Sequence, residues 1–168
     1  MKFPSSGWPS KLTQRLGVAA ILFGQVEYLL KLYVKQFLGS FRRGMIVTSR
    51  IQFNQLVELT SALVKHEVSD KKLRDAYFRI VKEIERAEKA RNGYFHSAWG
   101  MDEQGNSIHL NFVRERTNQR KAGSGLIKNK NLASETDLDD LIRNLDEIKR
   151  KLRDLRLQIW PQLRPGKE

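Results

Sequence analysis

The sequence predicts an all-α fold: an up-and-down bundle of four main helices, with a small β-hairpin or extended insertion between helices three and four. Four segments repeat apolar residues at spacings of three and four, the period of a helix with one buried face. Turn-forming residues separate these segments. One stretch before the fourth segment changes to a period of two, which is typical of a strand. We expect a single domain over residues 1–168, with a loose arm at 1–10 and a polar tail at 161–168.

The first helix should begin near Ser10 and end at Gly39-Ser40. Its apolar residues cover more than one face, so it should lie centrally in the bundle or meet a second subunit. A basic connection follows, containing Arg42-Arg43 and Gly44. The main stripe of this helix consists of Leu12, Leu16, Ala19, Phe23, Val26, Leu30, Tyr33 and Phe37.

The remaining helices are bounded by capping residues and by breaks in the apolar pattern. The second should span about residues 49–66, and the third should begin after Ser69-Asp70. The apolar stripe of the third helix leads to Arg91, where a cation calls for a partner or a ligand. The fourth should open at Ser134 or Thr136 and close at Trp160-Pro161.

The segment between the third and fourth helices has a different character. Ile108, Leu110 and Phe112 alternate with other residues, as in a strand, and residues 102–106 suggest the turn of a hairpin. Residues 118–131 combine Gly123-Ser124-Gly125 with four Lys/Arg, which predicts a mobile basic loop.

The net charge of +12 is concentrated in two places. Residues 1–50 carry eight Lys/Arg against one Glu (+7), and residues 111–131 carry six against one (+5). Clustered cations favour polyanions such as RNA, although a solvated basic surface is the simpler alternative. The candidate nucleic-acid-binding residues are Arg42, Arg43, Arg120, Lys121, Lys128 and Lys130.

Several classes of protein are disfavoured. The chain has no cysteine, and its three histidines lack the spacing of metal ligands, so we expect neither a metal nor a cofactor. The longest apolar run, residues 18–23, is too short to span a bilayer, and no signal peptide is evident. We therefore expect a cytoplasmic protein without a membrane partner.

The segment Arg91-Asn92-Gly93-Tyr94-Phe95-His96 carries the clearest chemistry, at the end of the third helix. Arginine grips phosphate through a planar set of donors, and histidine exchanges protons near neutral pH. This Arg-Asn-x-x-x-His pattern, followed by Ser97, Ala98 and Trp99, resembles the signature of the HEPN family. The alternative is structural: a histidine that caps the helix and an arginine in an ion pair.

The resemblance implies a homodimeric, metal-independent endoribonuclease with Arg91, Asn92 and His96 as catalytic residues. It also implies a toxin or a phage-defence effector, for which a neutralising antitoxin is a conceivable partner. Arg91 and His96 lie about 140° apart around a regular helix. Either the helix distorts near Gly93, or residues of two subunits combine in a shared cleft, as the resemblance implies.

Glu27 and Glu88 are candidates to hold the catalytic side chains in position without contacting the substrate themselves. Glu27 is alternatively an ion-pair partner for Lys31, four residues on. Two other functions stay open for the whole chain. One is a catalytically silent bundle of this type that binds RNA, a nucleotide or a protein. The other is a helical protein-interaction module with no role in nucleic-acid binding.

Overall fold

The helical character of the fold is confirmed by a computed structural model, which describes residues 10–95, 98–101, 107–114, 126–131 and 135–163. Within these ranges, five α-helices make up the bundle, and a short 3₁₀-helix over Trp160–Leu163 follows the last one. The α-helices are α1 (Ser10–Phe37), α2 (Phe41–Thr48), α3 (Phe53–Glu67), α4 (Lys71–Phe95) and α5 (Glu135–Ile159).

Three strands lie between α4 and α5: β1 (Ala98–Met101), β2 (Ser107–Arg114) and β3 (Leu126–Asn131). They form an antiparallel sheet in the order β1-β2-β3. The prediction of a mobile loop over 118–131 is therefore wrong for β3, whose backbone pairs with β2 so that Lys128 lies opposite Phe112. The predicted turn at 102–106 and loop residues 118–125 lie outside the described residues, as do residues 1–9 of the predicted arm and 164–168 of the predicted tail. The prediction of a tail is wrong for residues 161–163, which belong to the 3₁₀-helix, and that of an arm is wrong for Ser10, which begins α1.

The starts of the helices follow from local hydrogen bonding. Asp70 caps α4, because its Oδ1 accepts a hydrogen bond from the backbone N–H of Lys72 at 2.7 Å. Ser40 caps α2 in the same way by accepting from the backbone N–H of Arg43 at 3.3 Å. Gly39 ends α1 with a φ of +61°, a conformation that other residues rarely adopt.

The core is formed by the apolar stripes of α1, α3, α4 and α5. Its largest fully buried side chains are Tyr33, Tyr77, Leu30, Leu56, Ile84, Leu138, Leu145, Ile148, Leu152 and Ile159. The Tyr33 hydroxyl donates a hydrogen bond to the backbone carbonyl of Leu152 at 2.9 Å, so α1 and α5 share a polar contact inside the core. Burial raises the pKa of Tyr33 far above its ordinary value, and the side chain stays protonated.

The directions of the helices differ from the prediction. Contacts of Arg15 with Asp139 and of Tyr33 with Leu152 show that α1 and α5 run parallel. The Tyr33 ring lies 5.7 Å from the Tyr77 ring, and Arg91 lies over Phe23, so α1 and α4 run antiparallel.

Helices α3 and α4 are also antiparallel, since Asn54 meets Glu88 near the end of α4, whereas Thr60, later on α3, meets Tyr77, earlier on α4. Helices α1 and α3 are therefore parallel, and the strict up-and-down order is wrong at this connection. The physical reason is α2, which carries the chain back along α1 before α3 starts.

Helix α2 occupies what the sequence predicted to be only a basic connection. It presents just Gly44 and Thr48 to the protein interior, too little apolar surface to produce a periodic signal. It lies so close to α1 that a Cβ atom at Gly44 would be 2.6 Å from the Cα of Lys35. Only glycine fits at this crossing.

By length and composition alone, α1 could also cross a membrane. The central helix of a water-soluble bundle passes the same test. Val26, Leu30 and Val34 of α1 are at most 1% exposed in this fold, whereas Val18 and Ile21 are exposed, so burial in the bundle accounts for only part of its apolar character.

The glycine at the α1–α2 crossing gives a stability prediction. Gly44→Ala should destabilise the fold by about 1–3 kcal/mol, because the added methyl group meets the Lys35 backbone and forces the helices apart. Gly17→Ala is the matched control: no atom lies within 4 Å of its Cβ position, so it should stabilise α1 by about 0.5–1 kcal/mol. Urea denaturation of both variants checks this, and equal effects would contradict the close crossing.

Candidate active site

Arg91 is in the last turn of α4 and is held between two aromatic rings. Its guanidinium carbon lies 4.8 Å from the centre of the Phe23 ring on α1 and 5.2 Å from that of the Phe95 ring. A cation over an aromatic face gains about 0.5–2 kcal/mol, depending on how far it is removed from water. The partner that we expected for this cation therefore consists in part of aromatic rings.

Hydrogen bonding restricts the guanidinium further. Nη1 of Arg91 donates to Oδ1 of Asn92 at 2.9 Å. Nε is buried, and among the described residues no acceptor is placed to receive its hydrogen. An unsatisfied buried donor costs about 1–3 kcal/mol, and such groups in native structures often serve a functional role.

Glu88 provides the negative charge of the site, one turn before Asn92 on α4. The side-chain amide of Asn54, on α3, faces Glu88, and the amide orientation that satisfies both of its polar atoms lets its nitrogen donate to both carboxylate oxygens at 2.6 and 2.8 Å. Burial raises the pKa of Glu88, and the charge of Arg91 and a hydrogen bond from Asn92 offset part of this rise. Asn54, Glu88, Asn92 and Arg91 thus form one polar network that links α3 to the predicted motif.

Helix α4 continues through Gly93 to Phe95. The distortion near Gly93 that one alternative requires therefore does not break the helix before Phe95. His96 lies outside the described residues, so its distance from Arg91 stays a prediction. The choice between a distorted helix and a cleft shared by two subunits depends on that distance.

Glu27 pairs with Lys31 at 2.6 Å, the simpler of the two roles that the sequence allowed. Tyr94 lies in a groove of about 510 Å³ between α4 and α5, apart from the Arg91 network. Burial raises the pKa of Tyr94, and the nearby carboxylates of Asp137 and Asp140 raise it further. Tyr94 thus belongs to the packing of α4 on α5.

The predicted nucleic-acid-binding cations occupy separate elements. Arg42 and Arg43 are exposed on α2, and Lys128 and Lys130 are two positions apart on β3. Arg120 and Lys121 lie outside the described residues. Of the other histidines, His66 is exposed in the last turn of α3, and His109 pairs with Trp99 between β2 and β1.

Sequence reasoning missed two residues of the site, Phe23 and Asn54. Phe23 was predicted only as a core residue, although a cation on a buried stripe is itself a sign that an aromatic partner lies nearby. Asn54 gives no signal, because its role depends on how α3 packs against α4. Within the described ranges, no group of three or more His, Cys, Asp or Glu residues could hold a metal ion.

Comparisons of the chain with protein-family models, with curated proteins and with solved structures find no match.

The polar network predicts a measurable change in the pKa of Glu88. Asn54→Ala removes two hydrogen bonds that favour the charged carboxylate, so the pKa of Glu88 should rise further. Carboxyl-detected NMR titration measures the change directly. Gln25→Ala, at an exposed position on α1, is the control and should leave that pKa unaltered. An unchanged pKa in Asn54→Ala would show that the amide does not support Glu88.

The same group gives a pH dependence of stability. Because folding raises the pKa of Glu88, its contribution is fully present below its ordinary pKa near 4.5 and is lost as pH rises through the raised value. Glu88→Gln should remove this dependence, so the wild type should lose stability relative to Glu88→Gln across that range. Urea denaturation at a series of pH values tests the sign.

Proposed function

We propose that this chain is a metal-independent endoribonuclease of the HEPN type. The observation that carries the proposal is the setting of Arg91. Its guanidinium is clamped by Phe23 and Phe95 and hydrogen-bonded to Asn92, in the last turn of the helix that leads directly to His96. A cation fixed before substrate arrives needs little reorganisation to stabilise charge on a phosphate.

The proposed reaction is transesterification within the RNA strand. The ribose 2′-oxygen attacks the adjacent phosphorus, and the bond from phosphorus to the 5′-oxygen breaks. One His96 accepts the 2′-hydroxyl proton, and a second His96 donates a proton to the leaving 5′-oxygen. Arg91 stabilises the charge that develops on the phosphate oxygens, and Asn92 holds the guanidinium through its Oδ1.

Two copies of the chain supply the two histidines. The continuity of α4 through Gly93 supports this arrangement, because side chains five residues apart on a regular helix lie about 140° apart. The outward side of α1 exposes Val18 and Ile21, which offers apolar surface to a second subunit. A toxin or phage-defence role, with an antitoxin partner in the cytoplasm, is part of the same proposal.

The catalytic assignment predicts the behaviour of single variants. His96→Ala and Arg91→Ala should each reduce RNA cleavage by about 10²–10⁴-fold in EDTA, through loss of proton transfer and of charge stabilisation. His66→Ala and His109→Ala are matched controls and should cleave normally. Products should end in a 2′,3′-cyclic phosphate and a 5′-hydroxyl, and DNA should resist. Gel assays with end-group analysis measure all of these outcomes.

Each failure has a distinct meaning. If the wild type cleaves no RNA but binds it, the chain is a silent binding module. If EDTA stops cleavage, the chemistry depends on a metal. If His96→Ala retains full activity, the histidine only caps its helix.

The shared cleft predicts that one inactive subunit inactivates the whole dimer. The purified chain should be a dimer by light scattering at micromolar concentration. Because the proposed cleft needs a histidine from each subunit, wild-type chain unfolded and refolded with a threefold excess of His96→Ala should keep only roughly a quarter of its cleavage per wild-type subunit. The same excess of His66→Ala is the control and should cause no loss. A monomer, or cleavage per wild-type subunit that His96→Ala leaves unchanged, would contradict the two-subunit mechanism.

A further inference from the structure

Helix α2 and the adjoining part of α1 expose an unusual amount of apolar surface. Phe41 is 63% exposed and Ile46 is 66% exposed, values typical of polar surface residues. Clustered apolar exposure of this kind marks interaction sites. We call the following residues the α2 face: Tyr28, Leu38, Phe41, Met45, Ile46 and Val47.

Helix α2 cannot rotate about its axis to bury the α2 face. Gly44 is already pressed against the backbone of Lys35, and the Thr48 hydroxyl donates to the Gly44 carbonyl at 2.7 Å. These two are the only buried residues of α2. Rotating the helix to bury Ile46 would replace glycine with a large side chain at the closest point of the crossing.

The charge of this region is strongly positive. Arg42 and Arg43 are exposed on α2 on either side of Ile46, and the Lys35 ammonium lies 4.1 Å from the centre of the Phe41 ring. Residues 1–50 contain only one acid, Glu27, which is paired with Lys31 at 2.6 Å. The partner of the α2 face should therefore be both anionic and apolar.

The geometry and charge of the α2 face indicate which kind of partner binds it. At about 100° per residue, the exposed side chains from Phe41 to Val47 extend over about 240° of the helix circumference. A folded protein surface contacts about half of a helix, whereas the fluid headgroup layer of a bilayer surrounds an immersed one. RNA offers little to Met45 and Val47, and a second copy would bring like charges together.

We propose that the α2 face binds the surface of an anionic phospholipid bilayer, with α2 lying in the headgroup layer. Ile46 and Phe41 would reach the acyl boundary, and Arg42 and Arg43 would contact lipid phosphates. The expectation of no membrane partner rested on the absence of a span and of a signal peptide. A helix that lies on the surface needs neither.

Vesicle flotation with the full chain tests the proposal. The protein should float with vesicles containing about one third phosphatidylglycerol and not with pure phosphatidylcholine. Arg42→Gln with Arg43→Gln should weaken binding about 30-fold, from roughly 1 kcal/mol for each arginine. Lys82→Gln with Lys89→Gln removes the same charge from exposed positions of α4 and should have little effect.

The apolar contribution needs its own pair of variants. Phe41→Ser with Ile46→Ser should reduce vesicle binding at least tenfold, whereas Leu157→Ser, at a 60% exposed site on α5, should not. When anionic vesicles are added, the fluorescence emission of the tryptophan introduced by Ile46→Trp should shift to the blue, and brominated lipid should quench it. The tryptophan introduced by Leu157→Trp should show neither change. All of these positions are exposed, and circular dichroism verifies that each variant folds.

Three results would overturn the proposal. The first is failure of the wild-type chain to bind anionic vesicles. The second is vesicle binding that the Phe41 and Ile46 substitutions leave unchanged, which would mean that the protein adsorbs by charge alone. The third is loss of RNA affinity in the Arg42 and Arg43 variant with vesicle binding intact, which would assign these arginines to RNA. None of these measurements depends on ribonuclease activity.

Discussion

The central position of α1 is the constraint on which the rest of the structure depends. Tyr33 alone joins three helices, since its ring lies against Tyr77 of α4 and its hydroxyl bonds to the α5 backbone at Leu152. Further along α1, Phe23 is both a buried core residue and the ring beneath Arg91. The candidate site is therefore attached to the core, so changes in core packing should alter the orientation of the guanidinium.

This attachment also explains how a charged group is held at the end of an apolar stripe. The guanidinium keeps its polar edge near Asn92 and its flat faces near carbon atoms, a division that lysine cannot make. Glu88 balances the charge from within the same network, and Asn54 ties Glu88 to a second helix. The result is a preorganised cation whose orientation depends on three helices, α1, α3 and α4.

The sequence predicted the long helices well because their apolar periods are strong and their caps are local. Asp70 caps α4 as predicted, and α1 begins at the predicted Ser10. Helix α2 escaped prediction because it buries only Gly44 and Thr48. The parallel direction of α1 and α3 was not predicted either, because it depends on α2.

In the candidate site, the importance of Arg91 could be predicted from its position on the apolar stripe of α4. The contact of Arg91 with Phe23 and that of Asn54 with Glu88 depend on tertiary packing, which no local pattern encodes.

The parallel pairing of α1 with α5 has a consequence for protein synthesis. The two helices are separated by about 100 residues of chain. At about 5–20 residues per second, the ribosome completes α5 roughly 5–20 s or more after α1 has emerged. Throughout that interval the side of α1 that α5 will cover, which includes Arg15 and the hydroxyl of Tyr33, lacks its partners on α5. Translation speed between α4 and α5 should thus control how long the nascent chain is vulnerable to aggregation or in need of a chaperone.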